Sequence, residues 1–130
     1  MIVDSSALMA IVNDERDAER VLACAVSGPC RMSAATWVEV GIVADARSAR
    51  HGERIDAIVE QLRIEIVPVS VRQAEVARLA YRRFGRGSGS AARLNFGDCF
   101  SYALSVTSGE PLLFVGADFA HTDVASALRH

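Results

Sequence analysis

Met1-Ile2-Val3-Asp4-Ser5-Ser6-Ala7-Leu8 is a short apolar run closed by an acid and followed by two serines, either of which can cap a helix. Apolar residues continue at Leu8, Met9, Ile11 and Val12, which is helical spacing. The stretch therefore reads as strand, acid, helix. A strand that hands over to a helix sends the chain back across the sheet, and repetition of that unit builds parallel strands.

The rest of the chain repeats the unit. Asp14 and Glu15 open a helical stretch through Val26, with Val21, Leu22 and Ala25 on one face and Ser27-Gly28-Pro29 as its end. A brief strand over Arg31–Ser33 precedes a helix over Ala34–Arg47, which His51-Gly52 separates from a second helix over Glu53–Leu62. Ile64–Val69 is rich in β-branched residues and predicts a strand, and a helix follows from about Ser70 to Phe84. Gly85–Ser90 predicts a mobile loop, after which Asn95 caps a helix from Phe96 to about Thr107. Pro111–Val115 is the last clear strand, with an edge strand expected near Val124–Leu128. The expected fold is α/β: a single domain over residues 1–130, three layers α/β/α, with a mainly parallel central sheet.

Bulk properties narrow the function classes. The chain has 130 residues, 51% hydrophobic and 23% charged, which suits a globular domain with its own core. No apolar run approaches the ~20 residues that cross a bilayer, and no basic leader precedes Asp4, so a cytoplasmic protein without a membrane anchor is expected. Cys24, Cys30 and Cys99 are odd in number and lack CxxC spacing, which argues against a disulfide framework or a zinc knuckle. All 14 basic residues are arginine, so mechanisms that need a lysine are excluded. With a net charge of −2, any nucleic-acid surface has to come from local clustering.

Ligands of parallel sheets bind beyond the carboxyl ends of the strands, where Asp4 and the Gly116–Asp118 turn are expected. Asp4 is either a helix cap or a ligand for a hard cation. Glu39 has Ala35 and Val43 as its i−4 and i+4 neighbours, so it shares an apolar helix face, where a buried acid needs a counter-charge or a cation. Asp98 is placed to reach back to the cap at Asn95, and Gly97 beside it suggests close approach of a phosphate or metal to the first turn. Asp118 and Asp123 are both candidates for a further acid. Several acids in one crevice repel one another unless a divalent cation neutralises them.

Taken together, Met1–Leu8, the mid-chain Glu39, Leu94-Asn-Phe-Gly-Asp-Cys-Phe-Ser-Tyr-Ala-Leu104 and Pro111-Leu-Leu-Phe-Val-Gly-Ala-Asp-Phe119 resemble the PIN-domain ribonucleases, specifically the VapC-type toxins of VapBC toxin–antitoxin pairs. The resemblance spans essentially the whole chain. It implies a metal-dependent endoribonuclease in which Asp4, Glu39 and Asp98 bind Mg²⁺ or Mn²⁺ and Ser6 orients Asp4 through its hydroxyl, with Asn95 in support. Many family members carry an acid two places before the aspartate of the Asp-Phe pair, where this chain has Gly116; Asp118 is then the expected fourth acid. A VapB-like antitoxin and a homodimer are also implied, the latter with Leu8, Met9 and Ile11 either in the interface or in the core.

Arg82, Arg83, Arg86 and Arg93 cluster around the Gly/Ser loop before Asp98 and are either an RNA-phosphate contact or solvated charge at a helix end. Receiver-like and dehalogenase-like phosphotransfer enzymes also place an aspartate after the first strand, but they need the absent lysine. Gly85-Arg-Gly-Ser-Gly-Ser follows a helix rather than a strand, which excludes a dinucleotide-binding turn. The alternative outside enzymology is a PIN-like module that binds RNA or a partner without cutting.

Overall fold

The computed structural model describes residues 1–128. In chain order the elements are β1 (Ile2–Val3), α1 (Ser5–Val12), α2 (Ala18–Ala25), β2 (Arg31–Ser33), α3 (Ala34–Arg47), α4 (Ala49–Gln61), β3 (Glu65–Val67), α5 (Val71–Phe84), α6 (Asp98–Ser108), β4 (Leu112–Leu113) and a 3₁₀ turn at Phe119–His121. The strands form one parallel sheet in the order β3-β2-β1-β4, with Ile2 opposite both Arg31 and Leu112 and Val3 opposite Leu113.

Successive strand side chains point to opposite faces, and this alternation splits the core in two. Ile2 and Leu112 pack with Val76, Ala80 and Phe84 of α5 and Cys99 and Ala103 of α6. Val3 and Leu113 pack on the other face with Leu8, Val21, Val40 and Ile55 from α1 to α4. Helices therefore cover both faces, as the three-layer expectation requires. Each fully buried aliphatic side chain contributes roughly 1.5–3 kcal/mol, so β1, short as it is, is anchored from both sides.

Several boundaries differ from the sequence reading, each for a local reason. The helix expected from Asp14 begins at Ala18, because Asp14 takes a left-handed backbone (φ 53°) and Glu15 N–H bonds back to Ala10 C=O. His51-Gly52 does not separate two helices but lies inside α4. The break is at Ser48, whose extended backbone ends α3 and whose Oγ accepts from His51 N–H at 3.1 Å. Near Val124–Leu128 a full edge strand is replaced by one parallel bridge, with Leu112 N–H donating to Ala125 C=O and Ala127 N–H to Leu112 C=O. The Gly85–Ser90 loop is pinned at its neck, Leu94 N–H donating to Phe84 C=O and Arg86 N–H to Leu94 C=O. Leu8 is wholly interior, so it belongs to the core, and Met9 and Ile11 are partly buried against the same core.

The two ends of the sheet are electrically unlike. At the entry side Glu110 receives Arg31 at 2.8 Å, and Arg31 also meets Glu65 at 3.3 Å. Burial acts to raise the Glu110 pKa, but the Arg31 hydrogen bond and neighbouring positive charge outweigh it and hold the group below its usual range. At the exit side, where the strands release the chain into helices, Asp4, Glu39 and Asp98 have no such partner among the described residues.

Candidate active site

Asp4 follows β1 directly and is only 2% exposed. Its Oδ2 accepts from Ser6 N–H at 3.0 Å, capping α1, and its Oδ1 accepts from Ser101 Oγ at 2.6 Å. Ser101 Oγ lies 3.1 Å from Thr36 Oγ1. The expectation that Ser6 orients Asp4 through its hydroxyl is corrected: the main-chain N–H of Ser6 makes that contact. The Ser6 hydroxyl accepts from Val115 N–H at 3.1 Å, tying α1 to the segment after β4.

Glu39 projects from the middle of α3, where Ser5 Oγ donates to its Oε1 at 3.2 Å. Burial raises its pKa, the negative charge of Asp4 adds to the rise, and the Ser5 hydrogen bond opposes it. Its carboxylate lies directly against Gly97, where a Cβ atom would collide with it. The group that makes a close approach to Gly97 is the Glu39 carboxylate.

Asp98 starts α6 in a reciprocal cap. Its N–H donates to Asn95 Oδ1 at 2.8 Å while its Oδ2 accepts from Asn95 N–H at 2.9 Å. This cap starts the regular helix at Asp98, two residues later than the expected Phe96. Burial pushes the Asp98 pKa up to about 6; the Asn95 hydrogen bond opposes that, and the charges of Asp4, Asp118 and Glu39 add to it. The charges of three acids thus bear on Asp98, and that of Asp4 also on Glu39, at the exit side of the sheet. Asp118 is exposed, and its charge reaches Asp98. Asp123 is employed elsewhere, accepting from Tyr102 Oη at 2.6 Å and meeting Arg83 at 3.5 Å.

Glu39, Asp98, Asn95, Ser5 and Ser6 line one cleft of about 210 Å³, with Asp4 beneath it. Among the described residues no ion pair involves Asp4, Glu39, Asp98 or Asp118. Nor, among the described residues, do three His, Cys, Asp or Glu side chains close into a ligating set as they stand. Asp4, Glu39 and Asp98 are each engaged by hydrogen bonds of their own. The donor chemistry nevertheless suits a hard divalent cation: all-oxygen groups, partly desolvated, of like charge and without an ion-paired cation among the described residues.

The four arginines are set apart from these acids. Arg83 pairs with Asp123 and stacks on Phe84 at 4.6 Å, while Arg82, Arg86 and Arg93 are exposed around the pinned loop. Ser5, Ser101 and Thr36 escaped the sequence reading as parts of this site. The usable signal was spacing, since Ser101 lies three residues after Asp98 and Thr36 three before Glu39, which on a helix is a shared face.

Comparison with known proteins places this arrangement in a family. The PIN domain family matches residues 1–125. Ribonuclease VapC28 of Mycobacterium tuberculosis is 49% identical over 130 residues, covering 98% of each chain. Ribonuclease VapC of Mycolicibacterium smegmatis is 47% identical over 128 residues, covering 97% of this chain and 98% of the relative. In fold, the chain is similar to the crystal structure of M. tuberculosis VapC20, described as a Sarcin-Ricin loop cleaving toxin, with a TM-score of 0.73 at 18% identity and 95% of both chains covered. A toxin–antitoxin complex from Klebsiella pneumoniae matches with a TM-score of 0.66 at 20% identity, over 92% of this chain and 89% of that one. With a near half-identical relative aligned over almost its full length, the chain belongs to the PIN-domain family, among the VapC ribonucleases, the endoribonuclease toxins of toxin–antitoxin systems.

Proposed function

We propose that the chain, acting as a single PIN domain over residues 1–130, hydrolyses RNA phosphodiester bonds with the help of Mg²⁺ or Mn²⁺ held by Asp4, Glu39 and Asp98, with Asp118 as the outlying fourth acid. The observation that carries this reading is that Glu39 and Asp98 line one cleft beside the buried Asp4, with the charges of Asp4, Asp118 and Glu39 all bearing on Asp98 and no ion pair to any of the four among the described residues. When bound, the cation supplies charge neutralisation at the phosphoryl oxygens and eases ionisation of a water. Glu39 is the group suited to take the proton of the attacking water, because its carboxyl is drawn above the ordinary range and only Ser5 restrains it. Water oxygen bonds to phosphorus, the bond to the leaving ribose oxygen breaks, and solvent returns a proton to that oxygen. No covalent enzyme intermediate is required. Asp4, held at both oxygens, serves as the fixed point against which the others are set.

The same reading takes the protein as cytoplasmic, a homodimer, and paired with a VapB-like antitoxin. No helix among the described residues is long and apolar enough to cross a membrane. A groove of about 290 Å³ beside Glu39, lined by Val38, Ile42, Phe96 and Phe100, offers apolar anchorage for an antitoxin segment, and Phe96 is 77% exposed there. An arginine on that segment would compete with the cation for the acids. The antitoxin gene is expected as a small upstream reading frame encoding a DNA-binding N-terminus and an apolar, arginine-containing tail.

The decisive test is cleavage of a mixed-sequence RNA by the purified chain with Mg²⁺, with EDTA, and after Asp98→Asn. Activity is expected only in the wild type with the cation, and the substitution is expected to cost about a hundredfold or more, the scale for removing a direct metal ligand or its close support. Cleavage that persists in EDTA or in Asp98→Asn would falsify the mechanism.

A further inference from the structure

We infer that Ser101 is a positioning residue which, backed by Thr36, fixes Asp4 and thereby sets α3 and α6, and the acids they carry, against β1. The inference rests on the proposed role of those acids and adds two residues to it.

Ser101 is 0% exposed and Thr36 1% exposed, so both hydroxyls are shut off from bulk solvent. A buried helical serine or threonine commonly bonds to a carbonyl of its own helix turn. Later in α6, Thr107 does so with Ala103 C=O and Ser108 with Leu104 C=O. Ser101 and Thr36 instead turn toward each other across α3 and α6, and Ser101 goes on to Asp4.

The direction of the hydrogen bonds follows from counting protons. An ionised Asp4 only accepts, so the single proton of Ser101 is committed to Asp4 Oδ1 at 2.6 Å. The oxygen of Ser101 then accepts, and Thr36 must be the donor. The order is Thr36 of α3 to Ser101 of α6 to Asp4 after β1. Each hydroxyl stands one helical turn from an acid on its own helix: Thr36 from Glu39, Ser101 from Asp98. One hydrogen-bonded line therefore registers all three acid-bearing elements. Without Ser101, Asp4 Oδ1 has no donor among the described residues, and only the Ser6 N–H would restrain rotation of the carboxylate.

The test compares wild type, Ser101→Ala, Ser101→Thr and Thr36→Val by steady-state cleavage of an RNA oligonucleotide, by calorimetric Mn²⁺ binding and by melting temperature in EDTA. Ser101→Ala is expected to lower kcat about tenfold or more with KM for RNA within about twofold, and to weaken Mn²⁺ binding about tenfold, the scale seen for groups that orient a ligand. Ser101→Thr restores most of both quantities, and Thr36→Val shows a smaller loss of the same kind. A Ser101→Ala protein that melts lower but keeps wild-type kcat and Mn²⁺ affinity overturns the inference. Should Ser101→Ala not fold, Thr36→Val decides, and wild-type kcat in that variant overturns the relay. Wild-type cleavage unaffected by EDTA would count against the proposed cation, while the kcat and KM comparison would still judge the positioning role.

Discussion

Gly97 shows how one missing side chain shapes the site. Gly97 stands just before α6, and a methyl group there would occupy the space of the Glu39 carboxylate, the movable end of a side chain. Gly97→Ala is therefore expected to leave the melting temperature nearly unchanged while reducing RNA cleavage about tenfold or more, because Glu39 must swing away from Ser5. Equal activity in the variant would show that the position of Glu39 is not critical. At this scale the sequence exposed the acids but not their supports. Asp4 and Asp98 are legible because each stands where a strand or loop hands over to a helix, and Glu39 because it interrupts an apolar helix face. Ser101 and Thr36 look like ordinary helical hydroxyls, and only the folded proximity of α3 and α6 gives them a common partner.

Elements were legible where pattern and cap agreed. The Ala34–Arg47 reading matches α3, whose Ser33 side chain accepts from Ala35 N–H. Boundaries drifted where a side chain outweighed the punctuation of glycine, as at Ser48, or where a non-glycine residue took a left-handed turn, as at Asp14. The last turn of α5 and its loop also carry a test. Arg83 is committed to Asp123, which leaves Arg82, Arg86 and Arg93 as exposed cations around the loop that precedes α6. Replacing those three with glutamine is expected to weaken RNA binding and to flatten its dependence on salt by roughly 0.7 in log–log slope for each phosphate that is no longer neutralised. Binding isotherms at several salt concentrations give both quantities, and an unchanged slope would assign the arginines to solvation alone.

At the scale of the molecule, alternation of strand and helix was enough to predict a parallel sheet between two helical layers, because few topologies satisfy it. The strand order and the pairing of charges at the entry side were not readable, since Arg31, Glu65 and Glu110 lie far apart in the chain. Charge placement also makes stability depend on pH. Asp98 titrates near 6 when folded against an ordinary 3.8, so between those values the folded state binds more protons than the unfolded one. Stability is then greatest at the acid end of that window and falls as pH rises through it. Glu110, shifted the other way, contributes stability that is lost only as pH falls further. Melting curves in EDTA should decline from about pH 4 to about pH 6, and Asp98→Asn should remove much of that decline. Mn²⁺ should reverse it in the wild type, and a slope identical in both proteins would place the titration elsewhere.

The reciprocal bonds between Asn95 and Asp98 have a practical corollary. The carboxylate that closes the first turn of α6 is also one wall of the cleft, so on the proposed role of Asp98 fraying of that single turn would disarm the enzyme while the rest of the molecule remains intact. Deuterium uptake at two backbone amides therefore gauges catalytic readiness, and a ligand that clamps the cleft should slow their exchange before it slows that of any interior strand.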